Sequence, residues 1–93
     1  MTYRLLYSQT SREQMRSLHP QIKPIVKTLI QKLRESPYLG KALERELSGY
    51  YSLRTKRFRV IYKIDHMNHI TQIYYIGHRK DIYEVFKEFL AKG

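Results

Sequence analysis

The stretch Tyr50-Tyr51-Ser52-Leu53-Arg54-Thr55-Lys56-Arg57-Phe58-Arg59-Val60-Ile61-Tyr62-Lys63-Ile64-Asp65 decides the fold. Apolar side chains recur at every second position on both of its arms, the pattern of strands with one buried face, so it reads as a β-hairpin. With Thr55 and Lys56 as the two loop residues, Arg54 faces Arg57, Leu53 faces Phe58, Ser52 faces Arg59 and Tyr51 faces Val60. Tyr51, Leu53, Phe58 and Val60 then share one face, continued by Tyr62 and Ile64. The opposite face carries Ser52, Arg54, Arg57, Arg59, Ile61 and Lys63. Arginine set against arginine costs about 0.2–1 kcal/mol by like-charge repulsion. A bound anion would remove that cost.

C-terminal to the hairpin, Asp65 to His69 is a polar loop and Ile70 to Ile76 a third strand. Asp81 to Ala91 follows as a helix, with Ile82, Val85, Phe86 and Phe89 at helical spacing. N-terminal to the hairpin, Gly40 to Leu43 is a loop or short turn packing Leu43 and Leu47 inward. Ile22, Ile25, Val26, Leu29 and Leu33 form one helical stripe. Proline is tolerated only in the first turn of a helix, so Pro24 places its start near Pro20 to Lys23, and Ser36-Pro37 lies beyond its end. Met15 and Leu18 mark a shorter helix behind the capping side chains of Ser8 to Ser11, broken at His19-Pro20. Tyr3, Leu5 and Tyr7 alternate with Arg4, Leu6 and Ser8 as an N-terminal strand. The expected class is α+β, in a single domain spanning residues 1–93. A small antiparallel sheet, the N-terminal strand plus a three-strand meander, packs against two N-terminal helices, with a short C-terminal helix and all helices on one face.

Eighteen Lys and Arg against eight Asp and Glu give a formal net charge of +10. Such an excess repels itself unless a polyanion or an acidic partner uses it, so nucleic acid leads and an acidic protein comes second. The basic residues are spread over every segment rather than gathered on one amphipathic face, which argues against a membrane-surface helix. There is no cysteine, which excludes disulfides and thiolate zinc sites and fits a reducing cytoplasm. The first seven residues are too short and polar for a signal-peptide core or a membrane span. His19, His66 and His69 sit in breaks or loops without the carboxylate company of a metal site, so neither metal nor cofactor is expected.

Two clusters carry chemistry. On the hairpin, Arg54, Arg57, Arg59 and Lys63, with Lys56 at the turn, could hold a phosphodiester and stabilise its transition state through paired guanidinium bonds. Arg59 stands out because a lysine or threonine would serve equally well in a merely structural role between Phe58 and Val60. The second cluster is Gly77-His78-Arg79-Lys80-Asp81-Ile82-Tyr83. His78 offers an acid or base near neutral pH, Arg79 and Lys80 offer cations, and Tyr83 offers a stacking ring or a hydroxyl. The plain alternatives are a solvated sheet face, a capping histidine and a packed tyrosine. Most of the nine tyrosines belong to the core, with Tyr3, Tyr7, Tyr51, Tyr62 and Tyr75 on inward positions.

Residues Leu47–Arg54, Arg57–Asp65 and Ile76–Tyr83, preceded by a strand and two helices, resemble the RelE/ParE superfamily of toxin-antitoxin toxins, on its RelE side. The likeness covers nearly the whole chain. It implies a ribosome-dependent, metal-independent endoribonuclease that cuts mRNA in the ribosomal A site, the RNA 2′-hydroxyl attacking the adjacent phosphate. By position it implies that Arg59 stabilises the scissile phosphate, Arg79 is a second arginine, Tyr83 stacks on or orients the substrate, Arg54 contacts the backbone and His78 transfers a proton. It implies a RelB-like antitoxin, acidic or amphipathic, together with the ribosome and mRNA as partners, and action in the cytoplasm. Where some RelE proteins carry two lysines before the turn, this chain has Tyr50 and Ser52. Glu46, a base in some related toxins, falls on no predicted strand. A ParE-like toxin that binds DNA gyrase, and a weakly active homologue serving as an antitoxin-binding module, are the competing functions.

Overall fold

Local chemistry sets the first boundaries. In a computed structural model describing residues 2–92, strand β1 (Arg4–Tyr7) ends at Ser8, whose hydroxyl oxygen accepts the Ser11 N–H at 3.1 Å and starts helix α1 (Gln9–Ser17). Helix α2 (Lys23–Gln31) carries Pro24 in its first turn, where a missing N–H is harmless, and runs on into a 3-10 turn at Lys32–Arg34. A second such turn at Pro37–Leu39 leads to β2 (Lys41–Ala42), and a third at Arg45–Leu47 leads to β3 (Tyr51–Arg54). Then come β4 (Phe58–Asp65), β5 (Ile70–His78) and helix α3 (Ile82–Lys92). The α+β class and the order of elements are as expected.

The sheet has five strands in the order β1-β5-β4-β3-β2. It is mixed rather than purely antiparallel, because β1 runs parallel to β5, from Arg4 opposite Ile70 to Tyr7 opposite Ile73. The helices α1 and α2 carry the chain across one face to the far edge, and the meander that returns from there ends alongside β1 in the same direction. Alternation within a strand is identical for either direction, so the sequence pattern is silent on this point. The expected loop at Gly40 to Leu43 contributes the fifth strand, Lys41 opposite Ser52 and Ala42 opposite Tyr51.

The hairpin pairs two residues further along β4 than expected. Arg54 faces Arg59, Leu53 faces Val60, Ser52 faces Ile61 and Tyr51 faces Tyr62. Thr55 is buried, and both its N–H and its hydroxyl donate to the Phe58 carbonyl, at 3.0 and 3.1 Å. Those two bonds close the loop around Lys56 and Arg57 instead of Thr55 and Lys56. Moving the turn by one residue shifts the pairing by two, so every side chain keeps its predicted face.

Helices pack on both faces of the sheet, not on one. On one face Val26 and Ile30 of α2 and Leu33 of the turn after it cluster with Leu53, Val60, Tyr62, Ile73 and Ile76 of the sheet. Helix α3 crosses the opposite face, where Leu47, Ile61, Ile82 and Phe86 form a second cluster joined by Leu43, Tyr50, Tyr74 and Tyr75. A bulge in β5 makes this possible: Ile61 pairs with Tyr75 but Tyr62 with Ile73, which leaves Tyr74 as the extra residue and sends both tyrosines toward α3. The freed backbone groups are satisfied from α1. Ser8 and Ser11 hydroxyls donate to the Tyr74 and Ile73 carbonyls at 3.0 Å, and the Gln14 side-chain carbonyl accepts the Ile76 N–H at 2.7 Å.

Tyr62 is the largest fully buried side chain. Its hydroxyl donates to the Pro37 carbonyl at 2.7 Å and accepts the Gly40 N–H at 2.9 Å, so it fixes the 3-10 turn against the sheet. Burial pushes its phenol up to about 12.

Candidate functional site

Three successive rungs of the sheet build the site on the α3 face. In the middle rung Arg59 lies between Arg54 on β3 and Gly77 on β5. Gly77 is needed there for space: a Cβ would stand 2.6 Å from Ile82 Cδ1, the residue that anchors the first turn of α3. One rung toward the hairpin tip, the Arg79 N–H donates to the Arg57 carbonyl at 2.7 Å, extending the ladder past β5 and setting a second pair of arginines beside the first. One rung the other way, Ser52 faces Ile61, and the Tyr83 hydroxyl comes down from α3 to donate to Ser52 Oγ at 3.1 Å.

The arginines differ in freedom. Arg54, Arg57 and Arg79 are exposed, whereas Arg59 is half-buried and its Nη1 donates to the carbonyls of Phe58 at 3.1 Å and Thr55 at 3.3 Å. Those two bonds pin the Arg59 guanidinium at the turn. The remaining donors of its planar fork are the part available to a phosphate. The like-charge pair sits at Arg54 and Arg59, and solvent screens it less than the expected pairing because Arg59 is half-buried where Arg57 is exposed.

His78 does not join this row. Its strand parity is that of Phe58 and Ile76, so it belongs to the α1–α2 side of the sheet, with its ring edge-on to Phe58 at 5.7 Å between centroids. The Lys80 N–H donates to His78 Nδ1 at 3.3 Å, which leaves Nε2 carrying the proton in the neutral ring. His78 lies instead at the rim, where it lines a shallow pocket of about 240 Å³ with Arg57, Arg79 and Lys80. Lys56 is exposed at the loop tip. Lys63 is on the arginine face but four residues along β4, and its ammonium rests 4.6 Å from the centre of the Tyr50 ring, a cation–π contact away from the guanidinium groups.

Sequence reasoning missed two partners of Tyr83. One is Ser52, whose burial follows from no pattern because it shares its strand face with Arg54, Arg57 and Arg59, a face that reads as ligand-binding or solvated rather than covered by a helix. The other is a second pocket of about 240 Å³ flanking Tyr83, lined by Leu43, Glu44, Arg45, Glu46, Leu47 and Lys87. Arg45 has a φ of 56°, a costly conformation for arginine that turns the chain there. Lys87 stands 3.6 Å from both Glu46 and Glu84. A hydrogen bond from its own backbone, and then Lys87, hold the Glu46 carboxyl below its ordinary value, so it stays ionised near neutral pH.

A mixed five-stranded sheet, two helices on one face and a third bounding a cationic row on the other make this a toxin fold of the RelE type. A free-state mutant of the E. coli toxin RelE superposes with a TM-score of 0.78 over 99% of this chain and 98% of its own at 18% identity, a likeness of fold alone. The toxin-antitoxin complex RelBE2 from Mycobacterium tuberculosis gives a TM-score of 0.76 at 31% identity, covering 85% of this chain and 100% of that one. Toxin RelG of the same organism is 34% identical over 85 residues, 89% of this chain and 98% of that toxin. Residues 4–83 match the family described as ParE toxin of type II toxin-antitoxin system, parDE. The chain belongs to this RelE/ParE family and is the toxin of a type II toxin-antitoxin system.

Proposed function

We propose that this toxin is a ribosome-dependent endoribonuclease that cleaves mRNA in the A site and thereby stops translation. The observation that carries the reading is the Arg54–Arg59 rung, with Arg57 and Arg79 beside it on one side and the Tyr83 hydroxyl on the other. Guanidinium forks neutralise the non-bridging oxygens of the scissile phosphate as negative charge grows in the transition state. The 2′-hydroxyl oxygen attacks the adjacent phosphorus, the bond to the 5′-oxygen breaks, and the products are a 2′,3′-cyclic phosphate and a 5′-hydroxyl. The proton lost at the 2′-oxygen is balanced by one gained at the leaving 5′-oxygen. No step requires a metal. Arg59 and Arg79 serve as the phosphate clamp, Arg54, Arg57, Lys56 and Lys80 as backbone contacts, and Tyr83 as the group that orients the substrate. His78, on the other parity, serves the rim rather than the scissile bond.

The protein acts in the cytoplasm, as one domain, in this reading. Its antitoxin is RelB-like, with an acidic or amphipathic segment that neutralises the cationic end, as the net charge of +10 invites. The described helices include none long and apolar enough to cross a membrane.

Primer extension on a reporter mRNA in an in vitro translation system tests the reading. Cuts in codon register are expected with the folded, antitoxin-free protein, and their absence refutes it. The second reading is gyrase poisoning by protein contact, favoured by the ParE description of the matched family. It predicts gyrase-dependent DNA breaks, intact mRNA, and toxicity that survives loss of the Tyr83 hydroxyl.

A further inference from the structure

Tyr83 is held at two points. Its neighbour Ile82 is 1% exposed and fills the space that Gly77 leaves, which fixes the start of α3 over β5. Its hydroxyl is then tied to β3 by the bond to Ser52 Oγ, on a serine that is itself only 5% exposed. Between those anchors Tyr83 as a residue keeps 36% of its surface open. Ser52 and Arg54 share a face of one strand, so the hydroxyl contact lies one pleat, about 7 Å, from the Arg54–Arg59 rung.

The direction of the bond matters. Of the two hydroxyls the phenol is the more acidic and so the better donor; with its proton directed at Ser52 Oγ, 3.1 Å away, the Tyr83 oxygen offers a ligand its lone pairs. From this geometry we infer that Ser52 is a positioning residue for Tyr83: it accepts the phenol's hydrogen bond and thereby presents the Tyr83 oxygen as an acceptor for a hydroxyl donor on the nucleotide held by the arginine rung. The chemical class that fits is a ribose hydroxyl, since a phosphate oxygen has no proton to give. This inference rests on the mRNA-cleavage reading for its substrate, although the Ser52–Tyr83 contact stands independently of it.

The test is a double-mutant cycle on single-turnover cleavage of mRNA in programmed ribosomes, with Ser52→Ala, Ser52→Thr, Tyr83→Phe and the Ser52→Ala/Tyr83→Phe pair. Ser52→Ala should slow cleavage about tenfold, the loss of one oriented hydrogen bond, while the toxin concentration for half-saturation stays within about twofold. Ser52→Thr should restore most of the rate, and Ser52→Ala should have no further effect in the Tyr83→Phe background. A wild-type rate in Ser52→Ala, or a full tenfold loss that persists without the Tyr83 hydroxyl, overturns the inference. A second measurement needs no activity. In protein labelled with 13C at tyrosine Cζ, the resonance missing from Tyr83→Phe should shift in Ser52→Ala at unchanged melting temperature, and an unmoved resonance overturns the pairing. Wild-type protein that leaves ribosomal mRNA uncut refutes the proposed activity instead, and the resonance then decides the contact by itself.

Discussion

The two faces of the sheet are made by the same strands and do opposite work. Under α1 and α2 a continuous apolar cluster seals the face, with Val60 and Tyr62 fully buried. On the α3 face the seal covers only the part around Ile61, Ile82 and Phe86, and the end beyond Gly77 is left to arginine. Strand β4 supplies both: Val60 and Tyr62 to one side, Arg59 and Ile61 to the other. Consecutive residues of one strand therefore divide between stability and recognition, and what a substitution does is set by its parity more than by its position along the chain.

The sharpest way to break that division is to compare Arg59→Ala with Val60→Ala. Under the mRNA-cleavage reading, Arg59→Ala removes a transition-state donor and should lower single-turnover cleavage on the order of a hundred- to a thousandfold. Its melting temperature should hold or rise, because the like-charge contact with Arg54 is relieved. Val60→Ala leaves a cavity in a sealed core and should cost about 2–3 kcal/mol, with cleavage close to wild type well below its melting point. Thermal melts and cleavage assays on both variants give the comparison. If Arg59→Ala melts as low as Val60→Ala, the arginine is holding the hairpin together and the division fails.

Alkaline unfolding probes the sealed face alone. The Tyr62 phenol is raised to about 12 in the folded protein against 10.0 in the open chain, so the folded state keeps a proton that the unfolded state releases. Its contribution is complete below pH 10 and is lost as pH rises from 10 toward 12, about 2–3 kcal/mol in all at 1.36 per unit. Tyr7 and Tyr50 are raised by burial as well and act in the same direction. Urea unfolding followed from pH 8 to 11.5 should show stability falling with pH in wild type and falling less steeply in Tyr62→Phe. Equal slopes would mean that solvent reaches Tyr62 and that this face is not sealed.

Gly77→Ala acts where the two functions touch. The added methyl meets Ile82 Cδ1 in a packed cluster, so Ile82 must leave its rotamer or shift with the first turn of α3. A loss of about 1–3 kcal/mol is expected from overpacking. Because Tyr83 is the next residue, cleavage should fall with it, by roughly tenfold, even at temperatures where the variant is folded. Circular dichroism and the cleavage assay on one preparation separate the two effects. Lowered stability with full activity would show that the site does not depend on how α3 is seated.

Much of this was legible from alternation alone. Tyr51, Leu53, Val60 and Tyr62 on one face and Ser52, Arg54, Arg59 and Ile61 on the other follow from a period of two, and they survived a misplaced hairpin turn because a one-residue turn shift moves the pairing by two. What stayed hidden was whatever depends on partners distant in sequence. The parallel pairing of β1 with β5, the bulge at Tyr74 that Ser8, Ser11 and Gln14 satisfy, and the crossing of α3 to the second face all rest on contacts more than sixty residues apart or on space left by Gly77. The same holds for the site. Arg59, Arg79 and Tyr83 could be singled out from sequence, but the parity that separates His78 from them could not, because the third strand was expected to end at Ile76 and continues through His78.

That separation yields the smallest expected effect and a direct check on the two-face picture. His78 shares its parity with Phe58, stacks its ring edge-on against that side chain, and has Nδ1 occupied by the Lys80 N–H. A neutral imidazole in that state presents a proton at Nε2 and no lone pair, so it is poorly placed as a base for a 2′-hydroxyl held over Arg59. His78→Ala should therefore lower cleavage less than about threefold, through the rim cations beside it, and leave the pH–rate profile with its wild-type shape. A loss of a hundredfold or more, with the acid limb of the profile gone, would instead assign proton transfer to the imidazole. The end of β5 would then have to turn His78 around the edge of the sheet when RNA binds, joining the rim to the arginine rung in a way that strand parity forbids in the free protein.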